Sequence, residues 1–175
     1  MAARMYSVCA ISAALLVVLV IIVAFAAGGA AKARYSEYLS GHWVGDPAFL
    51  ASSGLRDVQL FIAPEESGER QGYLIMANED GDFVANQAVT ITAQRSDLGR
   101  WAAARAALAA DDARTLGEFD FAFDAPSADA PFPARVKISV SILRGTLTIF
   151  DETSVYAFLR KDLSVSESAV EAYAS

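Results

Sequence analysis

Apolar and polar positions divide the chain in two. From Val8 to Ala31 the residues run VCAISAALLVVLVIIVAFAAGGAA, with no charge and with Ser12 as the one hydroxyl. A helix rises about 1.5 Å per residue, so roughly 20 apolar residues cross a hydrocarbon core of about 30 Å. The run predicts a transmembrane helix over about residues 8–29, then a small-residue linker to residue 34. Ala24-Phe25-Ala26, followed by Ala27, Gly28 and Gly29, also fits a signal-peptidase site. The apolar core exceeds the usual signal-peptide length of about 7–15 residues, which favours an uncleaved anchor. Arg4 flanks one side and Lys32 and Arg34 the other, so the positive-inside rule is close to balanced. Both readings of the segment favour export, which puts the rest of the chain on the extracytoplasmic side.

Beyond residue 34, Tyr35 to Leu39 predicts one helical turn, and from Leu55 the period becomes two, the period of a strand with one buried and one wet face. Gly41 to Gly45 predicts a first strand, stopped by Asp46-Pro47, and Ala48 to Gly54 a brief helical turn. Strands follow from Leu55 through Ile62, over Arg70 to Ala77, and over Phe83 to Gln94, with Asp80-Gly81 marking the last hairpin. Glu118 to Asp124 alternates most clearly, with Phe119, Phe121 and Phe123 opposite Asp120, Ala122 and Asp124. Arg135 to Leu143, Thr146 to Phe150 and Thr153 to Lys161 complete about eight strands. Ser96 to Ala113 breaks the pattern and predicts a helix capped by Ser96, carrying Leu98, Trp101 and Leu108 on one face. Ser164-Val165-Ser166-Glu167 fits a capping box opening a tail helix through Tyr173.

The expected fold is therefore mainly β: an antiparallel up-and-down barrel of about eight strands over residues 35–175, with one inserted helix, a C-terminal helix and the N-terminal transmembrane helix. Closure removes the edges that promote aggregation; a two-sheet sandwich is the alternative. Both strand faces are apolar in Tyr73 to Met76 and Val155 to Leu159, which predicts cover on both sides, by the Trp101 helix or by a partner protein.

Charge narrows the partners. All 21 acidic residues lie beyond Arg34, against 11 basic ones, a balance near −10. Such a surface repels phosphate, which argues against nucleic acid and against a barrel lying on anionic lipid. The single cysteine, Cys9, lies in or beside the span, so no intrachain disulfide is possible. Its reading as a small apolar residue competes with S-acylation.

At Gly41-His42-Trp43 the order of elements resembles the calycin or lipocalin group, whose barrels open on a G-x-W after a short helical turn. The group also lays a cation from the last strand across that tryptophan. The resemblance implies that Gly41, Trp43 and Arg160 close one end of the barrel, with a guanidinium–indole stack of about 0.5–2 kcal/mol. The T-D-Y-type second motif and the cysteine pairs of typical lipocalins are absent, and the helix at Ser96 is an addition to the pattern. The plan of short tail, single span and compact β domain also resembles membrane-anchored structural proteins of large DNA viruses, which implies a virion membrane as one location.

Little in the sequence carries chemistry. His42 is the sole histidine, G-x-S-x-G does not occur, and the domain has no cysteine, so nucleophilic triads cannot form. Cys/His clusters with metal-ligand spacing are missing. Asn78-Glu79-Asp80-Gly81-Asp82 departs from the register of a calcium loop and fits a hairpin turn. No catalytic residue, metal or cofactor is expected. Aromatic side chains remain: Phe119, Phe121 and Phe123, with Tyr73 and Phe83, either fill the core or line an apolar ligand pocket. The leading expectation is a non-enzymatic, single-pass membrane protein with a structural or protein-interaction role. It would be held by membrane lipid through its helix and would meet a protein partner. The second is a carrier or sensor of a small lipophilic ligand, secreted if the N-terminal segment is cleaved.

Overall fold

A computed structural model of the chain describes residues 2–95, 113–125 and 130–162. These fall into two compact units, residues 2–33 and the described residues from Arg34 onward. The helix α1, Ala2–Leu39, contributes to both. Ala13–Leu39 is long and apolar enough to cross a membrane, by length and composition. Its side chains from Leu15 to Val23 are 39–65% exposed, as lipid-facing residues of a lone helix would be. The expected linker is absent: Ala30 to Arg34 is helical. Alanine is the best helix former, the segment holds no proline, and Gly28 and Gly29 cost only about 1 kcal/mol each.

In the second unit eight strands close into an antiparallel barrel in sequential order, each paired to its neighbour and the last to the first. They are β1 Gly41–Gly45, β2 Leu55–Ile62, β3 Glu69–Asn78, β4 Phe83–Arg95, β5 Ala113–Phe123, β6 Arg135–Ser141, β7 Thr146–Phe150 and β8 Val155–Asp162. Between β1 and β2 lies the short helix α2, Pro47–Ser53. Its start follows from Asp46, whose carboxylate accepts from the amides of Ala48 and Phe49 at 2.9 and 3.3 Å, and from Pro47 in the first turn. Gly54 ends it at a φ of 68°, the left-handed cap that glycine accepts without strain. The β3–β4 turn closes on Asn78, whose side chain accepts from the Asp82 amide at 2.8 Å.

Five of the eight pairings carry a register shift, between β1 and β8 and in each pairing from β2–β3 through β5–β6. Such bulges bend strands and raise their twist, which a closed sheet this small requires. Alternation is borne out along β6, where Val136, Ile138 and Val140 are at most 2% exposed. On the outer side of β5 and β6, Asp120 sits opposite Arg135 with a 3.0 Å ion pair, and Glu118 opposite Lys137 at 4.0 Å. The expected helices over Ser96 to Ala113 and from Ser164 lie outside the described residues, apart from Ala113, which opens β5.

Gly72 shows how tightly the strands approach. A Cβ there would come within 2.8 Å of the Phe61 carbonyl oxygen and 3.0 Å of Val89 Cγ2. A backbone oxygen in a ladder cannot move aside. Gly72→Ala is therefore expected to lower stability by about 1–3 kcal/mol, read as a fall in Tm; an unchanged Tm would mean that the β2–β3 ladder has slack.

Candidate functional site

The barrel offers three surfaces on which a function could rest: its lumen, its two ends and its outer wall. The lumen is filled. Trp43, Leu60, Ile62, Leu74, Ile91, Ile138, Val140, Leu147, Ile149 and Phe158 each have 0% exposure. A space able to admit even a water molecule beside them would leave some of their surface accessible. Full burial of these described side chains is what a packed protein interior shows and what a filled lumen requires.

At one end the chain enters through the last turns of α1. Leu39 is fully buried, and its carbonyl accepts from the Trp43 indole N–H at 2.8 Å. The Arg160 guanidinium carbon lies 4.0 Å from the Tyr38 ring centroid and 5.2 Å from that of Trp43. Its nitrogens donate to the carbonyl of Tyr38 and, at 2.8 Å, to that of Ser40. Arg70, 3% exposed, donates to the Ser36 hydroxyl at 2.6 Å and to the Ser36 carbonyl at 3.2 Å, and pairs with Glu65 at 2.6 Å. Burial lowers the pKa of Arg70, and the Glu65 carboxylate opposes that shift. The two guanidinium groups thus satisfy carbonyls that the C-terminus of any helix leaves without partners, where its dipole is negative. Trp43 and Arg160 meet here, in register at the β1–β8 seam, while Gly41 opens β1 and pairs with Ile62 of β2.

The opposite end is capped by aromatics. Phe132, 1% exposed, packs edge-on against Phe121 at 5.3 Å and against Tyr156 at 4.6 Å, and Phe49 of α2 reaches Tyr156 at 5.7 Å. The Tyr156 hydroxyl donates to the Pro131 carbonyl, and burial raises its pKa. Around this cap the turns carry Asp46, Glu79, Asp80, Asp82, Asp124, Asp151 and Glu152, and no Lys or Arg among the described turn residues. Asp151 accepts from the amides of Thr153 and Ser154, bonds that hold its pKa below the ordinary carboxylate value.

The five aromatic candidates do not share one surface. Phe119 and Phe121 point inward and are buried; Phe123 is half-buried, 6.5 Å from the Phe121 ring. Tyr73 lies on the outer wall with Phe61 and Ala63, its hydroxyl 3.0 Å from Asn86 Oδ1. Phe83 is 66% exposed, because it opens β4 at the hairpin mouth, beyond the last packed layer of the lumen. Tyr73 to Met76 is covered on both faces as its composition implied, whereas Val155 is 61% exposed on the outer side of β8.

His42 stacks on Phe61 at 4.1 Å and shares a 3.1 Å hydrogen bond with Gln59. Among the described residues no three His, Cys, Asp or Glu side chains converge as metal ligands would. Two surface clefts are lined by described residues. One, of about 570 Å³, has Glu118, Arg135, Lys137, Phe150, Asp151 and Glu152 on its walls. The other, of about 490 Å³, lies between Tyr38 and the β6–β7 turn, with Arg144, Arg160 and Lys161 beside Ile142 and Leu143.

Sequence reasoning missed Arg70, Phe132 and Tyr156. Arg70 shares strand parity with Leu74 and Met76, which places it inward, and Glu65 in the preceding turn is its complement. Phe132 carried no periodic signal, since prolines flank it on both sides. No family model matches the chain, and no curated protein or solved structure matches it.

Proposed function

We propose that the chain is a non-enzymatic, single-pass membrane protein that displays its barrel on the extracytoplasmic side in a structural or protein-interaction role. The observation that carries this reading is the filled lumen. A carrier of a small lipophile needs an internal cavity, and among the described residues ten inward side chains are fully buried where it would lie. What remains available is the outside of a rigid, closed barrel. Its end remote from α1 presents seven turn carboxylates, with Arg56 against the β3–β4 turn and Arg135 and Lys137 beside Asp151 and Glu152, an excess of negative charge that suits a protein partner with a basic face. The seating of Arg160 over Trp43 at the β1–β8 seam supports reading the barrel as lipocalin-like in its closure.

The intact mass of the chain recovered from membranes tests the anchor. The expected result is the full 18.6 kDa polypeptide, resistant to carbonate extraction. A soluble product cleaved after Ala26 would overturn the reading, leaving a secreted barrel.

A further inference from the structure

The cleft between Tyr38 and the β6–β7 turn combines two features that seldom meet on an acidic domain. It is cationic: among the described side chains on its walls Arg144, Arg160 and Lys161 are charged and none is a carboxylate. Arg144 and Lys161 form no ion pair with a described residue, whereas the cations of the β5–β6 wall, Arg135 and Lys137, do. It is also apolar at its rim, where Leu143 is 83% exposed beside Ile142. An exposed leucine next to arginine, with a tyrosine opposite, is the composition of a surface that sits at the boundary between lipid headgroups and acyl chains.

The chain limits how far this cleft can be from a bilayer. Tyr38 is seven residues past Ala31, where the apolar run ends. Seven residues span at most about 25 Å even when fully extended. Tethering therefore supplies headgroups at high effective concentration, so a modest intrinsic affinity suffices. Fields from the far-end carboxylates are screened within about 10 Å at ordinary salt; at the α1 end Glu65 is paired with Arg70, and Glu37, Glu66 and Glu69 are the charges that Arg144, Arg160 and Lys161 must outweigh.

We propose that this cleft binds the phosphate of an anionic membrane phospholipid. Arg144 and Lys161 supply the charge, Arg160 lines the floor while it holds the Tyr38 and Ser40 carbonyls, and Leu143 reaches toward the acyl boundary. The proposal rests on the membrane-anchored reading above.

The test uses the full chain in nanodiscs of phosphatidylcholine, with or without phosphatidylglycerol, and reads hydrogen exchange at the amides of Leu143, Arg144 and Gly145. With phosphatidylglycerol these amides are expected to exchange about tenfold more slowly, the factor given by ligand at ten times its dissociation constant. The double variant Arg144→Gln/Lys161→Gln is expected to lose the slowing, and Arg135→Gln/Lys137→Gln, which removes as much charge from the β6 wall, to keep it. Equal exchange in both lipids, or slowing that survives Arg144→Gln/Lys161→Gln, overturns the proposal. So does equal slowing by soluble glycerol phosphate in phosphatidylcholine discs, which would make the cleft a site for free phosphate. A chain that does not enter the discs at all overturns the anchor reading instead, so the two failures are told apart.

Discussion

Trp43→Ala is expected to cost the barrel about 3–5 kcal/mol, the range for truncating a fully buried aromatic side chain. A domain of this size has about 5–15 kcal/mol in total, so the loss is a large fraction of its stability. The indole has 0% exposure, donates to the Leu39 carbonyl at 2.8 Å and lies beneath Arg160. Removing it leaves a void where α1 meets the barrel and strips the buried carbonyl of its donor. Trp43→Phe separates these effects. It keeps most of the ring and loses the N–H, and should cost about 1–3 kcal/mol for the unsatisfied carbonyl. Urea unfolding of the detergent-solubilised chain measures both. A Trp43→Ala midpoint equal to that of the unaltered protein would show that the end closes without the indole.

Phe121→Ala is the second large effect, and it also discriminates between functions. The ring is 3% exposed and meets Phe132 at 5.3 Å, so its loss should destabilise by about 3–5 kcal/mol. The hole it leaves would be lined by apolar side chains, and such cavities stay dry and take up benzene or xenon. The unaltered barrel should show no uptake of xenon by NMR, and the variant should gain it. A ligand carrier predicts the reverse: uptake in the unaltered barrel, lost on truncation. That outcome would return the lumen to the list of binding sites.

Much of the fold was legible because turn chemistry and alternation agree along most of the chain. β1 and β7 begin and end where the residues place them, since Gly and Asp bound them and the side chains alternate cleanly. β5 begins at Ala113, five residues before the clear run of phenylalanines. Its early part, Ala113 to Gly117, has only Leu116 as a large apolar residue and carries a register shift between Thr115 and Gly117, which hides the period. The site was less legible for a different reason. Alternation assigns a side chain to a face, but not the face to inside or outside when both are apolar. Tyr73 and Leu74 are adjacent on β3 and both buried, one on the outer wall and one in the lumen. The closure by Arg70 depends on Ser36, which is 34 positions away and carries no pattern linking the two.

If the proposed tether to a bilayer holds, the architecture fixes how a pull on the chain would be borne. A pull transmitted through the chain at Leu39 enters the barrel at Gly41, the first residue of β1. β1 is hydrogen-bonded along both sides, to β2 and to β8. Tension along its axis must shear two ladders at once, whereas an edge strand would unzip one bond at a time. Arg70 and Arg160 grip the chain just before that point, so they yield first and shield β1 from small forces. The closing seam of the sheet is thus also its mechanical attachment, and resistance to extraction by force is concentrated in the five-residue strand β1.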